Sequence, residues 1–318
     1  MTPVLEAEKL GKRYGKHQAL TDCDLNIPQG RVIGLVGPNG ADKSTLLNLA
    51  CGLVQPTSGS VRVLGYCPAA NAEHLAKAGF VAQNTPVYAE LSVADHLRMG
   101  AALNPRWDAP LARRRIERTG LAPKQKAGGL SGGQPAQLAL TLAVAKRPEL
   151  LIFDEPAAAL APLARRGFLE NLMEFVGDLG ASAVLSSHAL SDVERACDYL
   201  IVLAGSRIQV AGDVAELLAE HHRIVGSWDD LATMPAGIEV IRSEPTGHES
   251  SARRESSARR ESSAGRESSA VVRATGPLPA HAPWAVESLD LEELVLAYLT
   301  RATLTDAVSA STAQETHR

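Results

Sequence analysis

Residues 32–45 read VIGLVGPNGADKST, and this stretch is the strongest indication of the fold in the sequence. Its first part, Val32 to Val36, is a short apolar run typical of a strand that is buried on both faces. The glycine-rich loop from Gly37 to Thr45 follows directly, and a helix-like segment from Leu46 to Leu53 follows the loop. Strand, glycine-rich loop and helix in this order are the context of a phosphate-binding loop, or P-loop. The stretch therefore predicts an α/β domain with a phosphate site after a buried strand.

The chemistry of this loop depends on its backbone and on two side chains. Successive N–H groups in such a loop surround the β- and γ-phosphates of a nucleotide, and the helix N-terminus favours their negative charge. Lys43 is placed to reach the phosphates and Ser44 to bind magnesium. The strict motif has glycine directly before the lysine, whereas this chain has Asp42. Taken alone, the stretch therefore leaves a second interpretation open, an ordinary strand-to-helix turn.

Three further strings decide between these interpretations through their order along the chain. They are LSGGQ at Leu130–Gln134, LLIFDEP at Leu150–Pro156 and SSH at Ser186–His188. Asp154 ends a buried strand and is placed to hold hydrated magnesium, and the adjacent Glu155 can polarise a water for attack on a γ-phosphate. Each string alone has an ordinary structural explanation, such as a glycine-rich helix cap or a strand-to-turn exit. Their joint occurrence in this order favours a site that hydrolyses a nucleotide.

On these motifs the chain resembles the nucleotide-binding subunits of ABC transporters over about residues 4–215. The resemblance implies a P-loop NTPase fold of the ABC ATPase type, with ATP and Mg²⁺ as ligands. It implies a head-to-tail dimer that holds two ATP molecules between facing subunits, the second ATP-binding subunit being the same or a different chain. It also implies a separate membrane-spanning permease subunit, moved by closure of the dimer on ATP. The chain would then be cytoplasmic and peripheral at the inner face of the cell membrane.

The resemblance also assigns roles to individual residues. Tyr14 is similar to the aromatic residue that stacks on adenine, and Gln83 to the glutamine that touches magnesium and faces the membrane subunit. The implied catalytic set is Glu155 as base, His188 as switch histidine and Gln83, and the implied magnesium set is Ser44, Gln83 and Asp154. The implied nucleotide-binding set includes Tyr14, the Walker B residue Asp154 and the Walker A residues Gly37, Pro38, Asn39, Gly40, Ala41, Asp42, Lys43, Ser44 and Thr45. It also includes the signature residues Ser131, Gly132, Gly133 and Gln134. By the resemblance, these signature residues cap ATP on the other subunit.

Spacing distinguishes classes within this family. The segment from Gln83 to Leu130 is too short for the long coiled coil of chromosome-maintenance and repair relatives. A single Walker A motif argues against the tandem proteins that act on ribosomes. The phrase LEELVLAYL, which begins at Leu291, and the segment after residue 215 resemble subunits of bacterial multidrug-type exporters. The resemblance therefore favours the exporter branch.

Composition argues against several other classes of protein. The 318 residues include 32 basic and 36 acidic side chains, a net charge of -4, which lacks the basic excess of a nucleic-acid-binding protein. The four cysteines lie far apart and form no CxxC pair, so neither a disulfide framework nor a zinc site is indicated. No signal peptide and no apolar run of membrane-spanning length is apparent in the sequence. We therefore expect a soluble chain in a reducing cytoplasm, with no nucleic-acid partner.

The pattern of apolar runs predicts one large domain. Runs and helix-like segments alternate up to about residue 215, as in an α/β domain with a largely parallel sheet. We expect this ATP-binding domain at residues 1–215, with a helical signature subdomain at about 84–145. The predicted strands of its sheet are Val32–Val36, Leu150–Phe153, Ala183–Ser186 and Tyr199–Leu203.

A small C-terminal α+β appendix is expected at residues 216–305. Within it, residues 249–270 repeat the sequence ESSARR with small changes and contain no large apolar residue, so they cannot offset the entropy of ordering. We predict a disordered insert there, the alternative being an interaction or regulatory segment, and a disordered tail at 306–318. The predicted elements of the appendix are the helix Val214–His222, the strands Arg223–Val225, Ile238–Ile241 and Ala270–Arg273, and the amphipathic helix Leu289–Leu299, which packs on the appendix or contacts a second subunit.

Three residues depart from the family pattern near the implied nucleotide site. Asp42 replaces glycine, Pro135 replaces an arginine or similar residue, and Ala161 replaces the aspartate of the D-loop. A carboxylate about 6 Å from a phosphate charge costs roughly 3 kcal/mol at an effective dielectric of about 20. Magnesium, Lys43 or a rotamer turned to solvent would offset much of this. Pro135 removes one N–H near a helix start, where the loss matters little, and Ala161 removes a polar link across the dimer interface.

Three hypotheses of function follow. The leading one is an ATP-hydrolysing transporter subunit, with turnover slowed by Asp42 and Ala161. The second is a regulatory subunit that binds ATP and hydrolyses little of it. The third is a soluble ABC ATPase that is not coupled to transport. The presence of the full catalytic set in one chain favours the first hypothesis.

Overall fold

The computed structural model describes residues 3–83, 87–158, 160–227, 234–235, 237–245, 267–276, 278–279 and 283–315. The chain divides into two compact units, Met1–Ala211 and Gly212–Arg318. Within the described residues, no helix combines the length and the apolar character needed to cross a membrane.

The first unit alternates strands and helices along its length. In chain order its elements are β1 (Leu5–Tyr14), β2 (His17–Ile27), β3 (Val32–Val36), α1 (Lys43–Ala50), β4 (Ser58–Val63), α2 (Ala72–Lys77), β5 (Ala78–Val81), α3 (Val93–Leu103), α4 (Ala109–Arg118), α5 (Gln134–Ala145), β6 (Leu150–Phe153), α6 (Pro162–Leu179), β7 (Ser182–Ser187), α7 (Leu190–Ala196), β8 (Tyr199–Ala204) and β9 (Arg207–Asp213).

A six-stranded sheet in the order β5-β6-β7-β3-β8-β9 forms the centre of this unit. The pairs β5–β6, β6–β7, β7–β3 and β3–β8 are parallel. Every residue of β3, β6 and β7 is buried, which explains why β3 and β6 are continuous apolar runs rather than alternating ones; β7 also buries three serines. The predicted α/β fold with a largely parallel sheet is confirmed, and β7 and β8 extend slightly beyond the predicted strands.

A second, antiparallel sheet in the order β2-β1-β4 packs near the P-loop strand and was not predicted. Its strands bury one face and expose charged residues on the other, so their apolar residues alternate and produce no continuous run. The buried face shares one hydrophobic cluster with β3 and α1, which includes Leu10, Leu20, Ile33 and Leu46. This cluster fixes the base of the P-loop.

The region expected to form the helical subdomain, about residues 84–145, contains α3, α4 and α5. Residues 84–86 lie outside the described residues. Helix α3 begins with a capping box between Ser92 and Asp95, and the residue before α4, Asp108, caps that helix by accepting the Leu111 N–H on its carboxylate. The proposed limits of this subdomain stay a prediction.

The second unit is an antiparallel sheet with helices. Its elements are α8 (Val214–Glu220), β10 (His221–Ser227), β11 (Ile238–Pro245), β12 (Glu267–Ala274), β13 (Ala285–Glu287) and α9 (Leu291–Glu315), with strand order β11-β12-β10-β13. Helix α8 ends at Glu220, two residues before the predicted end, because His221 already pairs with Arg273 in the sheet.

Two predicted boundaries in this unit differ from the structure. Most of the predicted disordered insert, residues 249–266, lies outside the described residues, but Glu267–Ala270 form part of β12. Pairing with β10 supplies their backbone hydrogen bonds, and the small side chains of Ser268 and Ala270 are buried there. The predicted tail at 306–318 is helical as far as Glu315, since no glycine or proline interrupts the sequence after Leu291.

Candidate functional site

The P-loop connects β3 to α1 and folds around the ammonium group of Lys43. Residues 37–42 form the loop, and Lys43, Ser44 and Thr45 begin the helix. Lys43 Nζ donates to the carbonyl oxygens of Gly37 at 2.8 Å and Pro38 at 3.2 Å. A Cβ at Gly37 would lie 2.2 Å from the Leu203 carbonyl oxygen, so only glycine fits there. Gly40, at φ 80°, makes the left-handed bend that reverses the loop.

Asp42 occupies a left-handed conformation, with φ 64° and ψ 30°, directly before α1. Aspartate tolerates this region better than most residues, which is why the loop keeps its shape without the usual glycine. Its carboxylate is engaged on both oxygens: Thr45 Oγ1 donates to Oδ1 at 2.9 Å, and His17 Nε2 lies 2.8 Å from Oδ2. The contact of His17 with Asp42 was not predicted from the sequence, because it joins β2 to a loop 25 residues later in the chain.

The end of β6 is organised by one buried hydroxyl. Ser186 Oγ donates to Asp154 Oδ1 at 2.8 Å and accepts the Glu155 N–H at 2.8 Å. Asp154 is 5% exposed and its N–H donates to the Val81 carbonyl oxygen. Glu155 takes a positive φ of 44°, which turns its side chain out of the strand direction. The neighbouring strands β6 and β7 therefore fix the two acidic residues together.

The predicted catalytic residues Gln83 and His188 both contact the carboxylate of Glu155. Lys43 Nζ lies 3.6 Å from Oε1, and both side chains are largely buried. His188 Nδ1 lies 3.3 Å from Oε2, and Gln83 Nε2 donates to the same oxygen over a long 3.4 Å. Residues from three other motifs thus surround the Glu155 carboxylate, which is positioned to accept a proton from water beside a phosphate site.

Next to His188 lies a network of polar contacts that was not predicted from the sequence. The preceding residue, Ser187, donates to Asp192 Oδ2 at 3.2 Å, and its hydroxyl accepts the Ala189 N–H. Asp192 is 6% exposed and forms a bidentate ion pair with Arg165 of α6. This pair links α6 to the loop that carries His188 and limits the positions that the imidazole can take.

The signature residues lie apart from this cluster. Ser131 N–H donates to Gln134 Oε1 at 3.0 Å, and Gly132 adopts φ 54°. Within the part of the chain that the structure describes, no hydrogen bond joins residues 131–134 to the P-loop or to Glu155. The structure therefore brings the Walker and switch residues together, but not the signature, within one chain.

The two other departures from the family pattern are accommodated at helix starts. Pro135 lies in the first turn of α5, where the missing N–H has no partner within the helix. Ala161 precedes α6 and, having no polar side chain, provides no cap for that helix.

Tyr14 ends β1 and is 44% exposed. Lys12 Nζ lies 4.8 Å from the centroid of its ring, and Tyr14 pairs with His17 across the turn between β1 and β2. An accessible ring at this place suits stacking on a nucleobase. The same turn carries the residue that contacts Asp42.

The residues present fit a magnesium ion held mainly by substrate. Asp154 Oδ2 makes no hydrogen bond to another described residue, and Ser44 is only half-buried at the start of α1. No group of three His, Cys, Asp or Glu residues suited to a metal ion occurs within the described residues. Mg²⁺ needs no such cage, because it keeps several waters and uses one or two protein ligands besides phosphate oxygens.

Burial controls the ionisation of the Cys51 thiol. Cys51, at the end of α1, has its pKa raised to about 12 by burial and, to a smaller extent, by the negative charge of Asp154. The thiol is therefore neutral at physiological pH and adds no charge to the phosphate site.

Comparison with known proteins points to one family. A family model described as ABC transporter matches residues 20–158. The Nod factor export ATP-binding protein I of Cupriavidus pinatubonensis is 33% identical over 227 residues, which are 69% of this chain and 69% of that protein. The sulfate/thiosulfate import ATP-binding protein CysA of Salmonella typhi is 29% identical over 245 residues, which are 70% of this chain and 67% of that protein. A solved structure described as the ATP binding subunit of an ABC transporter matches with TM-score 0.61 and 27% identity, and covers 68% of this chain and 92% of that one.

Proposed function

The chain belongs to the ABC transporter family as an ATP-binding subunit with ATPase activity, and we propose that Glu155 is its catalytic base. The observation that carries this proposal is the convergence of Lys43, Gln83 and His188 on the Glu155 carboxylate. A base must lie within reach of both the phosphate site and the attacking water. Glu155 meets the first condition through its contact with the P-loop lysine.

ATP binding changes the partners of Lys43. Its ammonium donates to the Gly37 and Pro38 carbonyl oxygens and faces Glu155. Phosphate oxygens carry more negative charge than carbonyl oxygens, so the ammonium turns to the β- and γ-phosphates when ATP enters the loop. The loop N–H groups and the start of α1 bind the same phosphates, and the exposed ring of Tyr14 stacks on the adenine.

Hydrolysis then depends on the released carboxylate. With Lys43 engaged by phosphate, Glu155 is free to accept a proton from the attacking water, while His188 and Gln83 hold the carboxylate from its other oxygen. Ser186 fixes the backbone of Glu155 and the carboxylate of Asp154. Ser44, Asp154 and Gln83 would hold Mg²⁺, which would neutralise part of the phosphate charge.

The complete site requires a second subunit, which we take to be another copy of this chain. The signature residues Ser131–Gln134 make no hydrogen bond to the P-loop among the described residues of one chain. One sequence nevertheless carries both halves, so two copies placed head to tail complete two sites by symmetry. Closure on ATP and reopening after hydrolysis form the working cycle.

Closure and reopening of the dimer move a separate membrane-spanning permease subunit. This subunit holds the chain at the inner face of the membrane. The direction of transport that we favour is export, supported by the LEELVLAYL segment and by similarity to a Nod factor export protein. Similarity to a sulfate/thiosulfate import protein is of comparable extent, so direction needs transport measured with the permease.

The test of the base is the ATPase rate of the purified chain and of Glu155→Gln. We expect the rate to fall at least about 100-fold, the contribution typical of a general base, with ATP binding retained. Glu170→Gln is the matched control, because Glu170 lies on α6 in an exposed pair with Arg166. It should keep the wild-type rate.

Two results would count against this function. Equal rates for the wild type and Glu155→Gln would remove the catalytic assignment. ATP binding by a wild-type chain without measurable hydrolysis would favour a regulatory subunit instead.

A further inference from the structure

The pair formed by His17 and Asp42 joins the adenine side of the site to its phosphate side. His17 lies in β2, three residues after Tyr14, and Asp42 lies in the P-loop. Nε2 and Oδ2 are 2.8 Å apart, with side-chain exposures of 61% for the histidine and 18% for the aspartate. A partly buried carboxylate in a phosphate-binding loop requires a physical explanation, since it carries the same sign of charge as the ligand.

The negative charge of the Asp42 carboxylate opposes the binding of ATP. At about 6 Å and an effective dielectric of about 20, repulsion from one phosphate charge weakens binding by about a hundredfold. Lys43 is the obvious counter-charge, yet it pairs with Glu155 at 3.6 Å, and no ion pair joins Lys43 to Asp42 within the described ranges. Lys43 therefore does not neutralise Asp42, and the neutralisation has to come from elsewhere.

Two donors outside the loop backbone hold both carboxylate oxygens. Thr45 Oγ1 donates to Oδ1 from the first turn of α1. His17 engages Oδ2 from β2. A hydrogen bond to each oxygen fixes the side-chain rotamer and draws negative charge toward the donors.

We propose that His17 is a positioning residue that holds the Asp42 carboxylate away from the phosphate site, and so allows this chain to bind ATP without the usual P-loop glycine. The inference rests on the proposed ATP site and adds a residue that no motif contains. His17 acts through Asp42, so its effect disappears when Asp42 is absent.

The test is a double-mutant cycle in ATP affinity, with His17→Ala, Asp42→Gly and both changes together in the full chain. We expect His17→Ala to weaken ATP binding by about tenfold or more, because it frees the carboxylate. In the Asp42→Gly background, the same change should alter affinity by less than about twofold. Glycine is accepted at this positive φ, so Asp42→Gly keeps the loop shape.

Two further readouts distinguish electrostatic positioning from a merely structural role. The loss in His17→Ala should decrease from ATP to ADP and vanish for adenosine, because repulsion acts on phosphate charge. His17→Lys keeps a hydrogen-bond donor beside Asp42 and should recover most of the ATP affinity that His17→Ala loses. Thermal unfolding of each variant shows whether it is folded.

The outcomes separate this inference from the proposed function. Equal losses in both backgrounds, or an equal loss for adenosine and ATP, would overturn the role of His17. ATP binding by Asp42→Gly but not by the wild type would also overturn it, while leaving the ATP site in place. Failure of every variant to bind ATP would reject the site and the inference together.

Discussion

At the scale of single residues, the site depends on one hydroxyl group, that of Ser186, to which the motifs assign no role. Ser186 Oγ is both the acceptor for the Glu155 N–H and the donor to Asp154 Oδ1. Ser186 is 1% exposed, so water cannot easily replace the missing group if the hydroxyl is removed. The geometry of two acidic residues therefore depends on a single serine in the adjacent strand.

We predict that Ser186→Ala lowers the ATPase rate about tenfold, since catalysis is sensitive to misplacement of the reacting groups. Stability should fall by about 1–3 kcal/mol, because a buried N–H loses its acceptor. Ser182→Ala is the matched control: Ser182 is equally buried in β7 and accepts the Gly30 N–H away from the site. Urea unfolding and ATPase rates of both variants check the prediction. If both variants lose the same activity, Ser186 acts only on the fold.

The grouping of the candidate site residues was predictable from the sequence, but their supporting contacts were not. The strings around Lys43, Glu155 and His188 predicted one shared site, and the structure places these three residues together, while their catalytic roles stay a prediction. The roles of His17 and Ser186 arise from contacts between residues 25 to 32 positions apart. Such contacts exist only after the sheets have formed, and no local pattern encodes them.

At the scale of elements, predictability followed burial. Strands β3 and β6 are buried on both faces and match the predicted bounds, whereas the half-exposed β1 and β2 were missed. In the second unit, β12 includes serines and alanines that the composition argument assigned to a disordered insert. Pairing with β10 outweighed their weak intrinsic preference for a strand.

His221 is the buried ionisable group that connects elements of the second unit. It begins β10 and is 0% exposed; Nδ1 lies 2.7 Å from the Leu217 carbonyl oxygen of α8 and Nε2 lies 2.9 Å from Tyr298 Oη of α9. Burial, the largest cause, lowers the pKa of this imidazole below 6.5. The neutral ring makes both hydrogen bonds, donating through Nδ1–H and accepting from the tyrosine hydroxyl.

We predict that acid destabilises this unit through His221. Since the folded pKa is below the unfolded value, the unfolded chain takes up the proton first as pH falls. The stabilisation is complete above pH 6.5 and is lost as pH falls through the folded pKa. Urea unfolding of the full chain between about pH 7.5 and 5 should show this loss in the wild type but a smaller one in His221→Gln. His222→Gln, at the next position of β10, is the control. Identical pH profiles for wild type and His221→Gln would contradict the assignment.

At the scale of the whole molecule, the proposed catalytic site is built from residues of two chains. One chain supplies Lys43, Glu155 and His188 in a single cluster, and the signature makes no hydrogen bond to it among the described residues. We therefore propose that each catalytic site takes its P-loop from one copy and its signature from the other. An intact site then needs only one good P-loop and one good signature, on different chains.

The most direct test of this claim is the ATPase rate of a one-to-one mixture of Lys43→Ala and Ser131→Arg chains. Each variant alone forms only defective sites, the first without the phosphate-binding ammonium and the second with a bulky cation in the signature. In the mixed dimer, the P-loop of the Ser131→Arg chain faces the intact signature of the Lys43→Ala chain. If the site is shared between two chains, the mixture hydrolyses ATP clearly faster than either variant alone. A mixture no faster than the average of its two components would contradict the shared site.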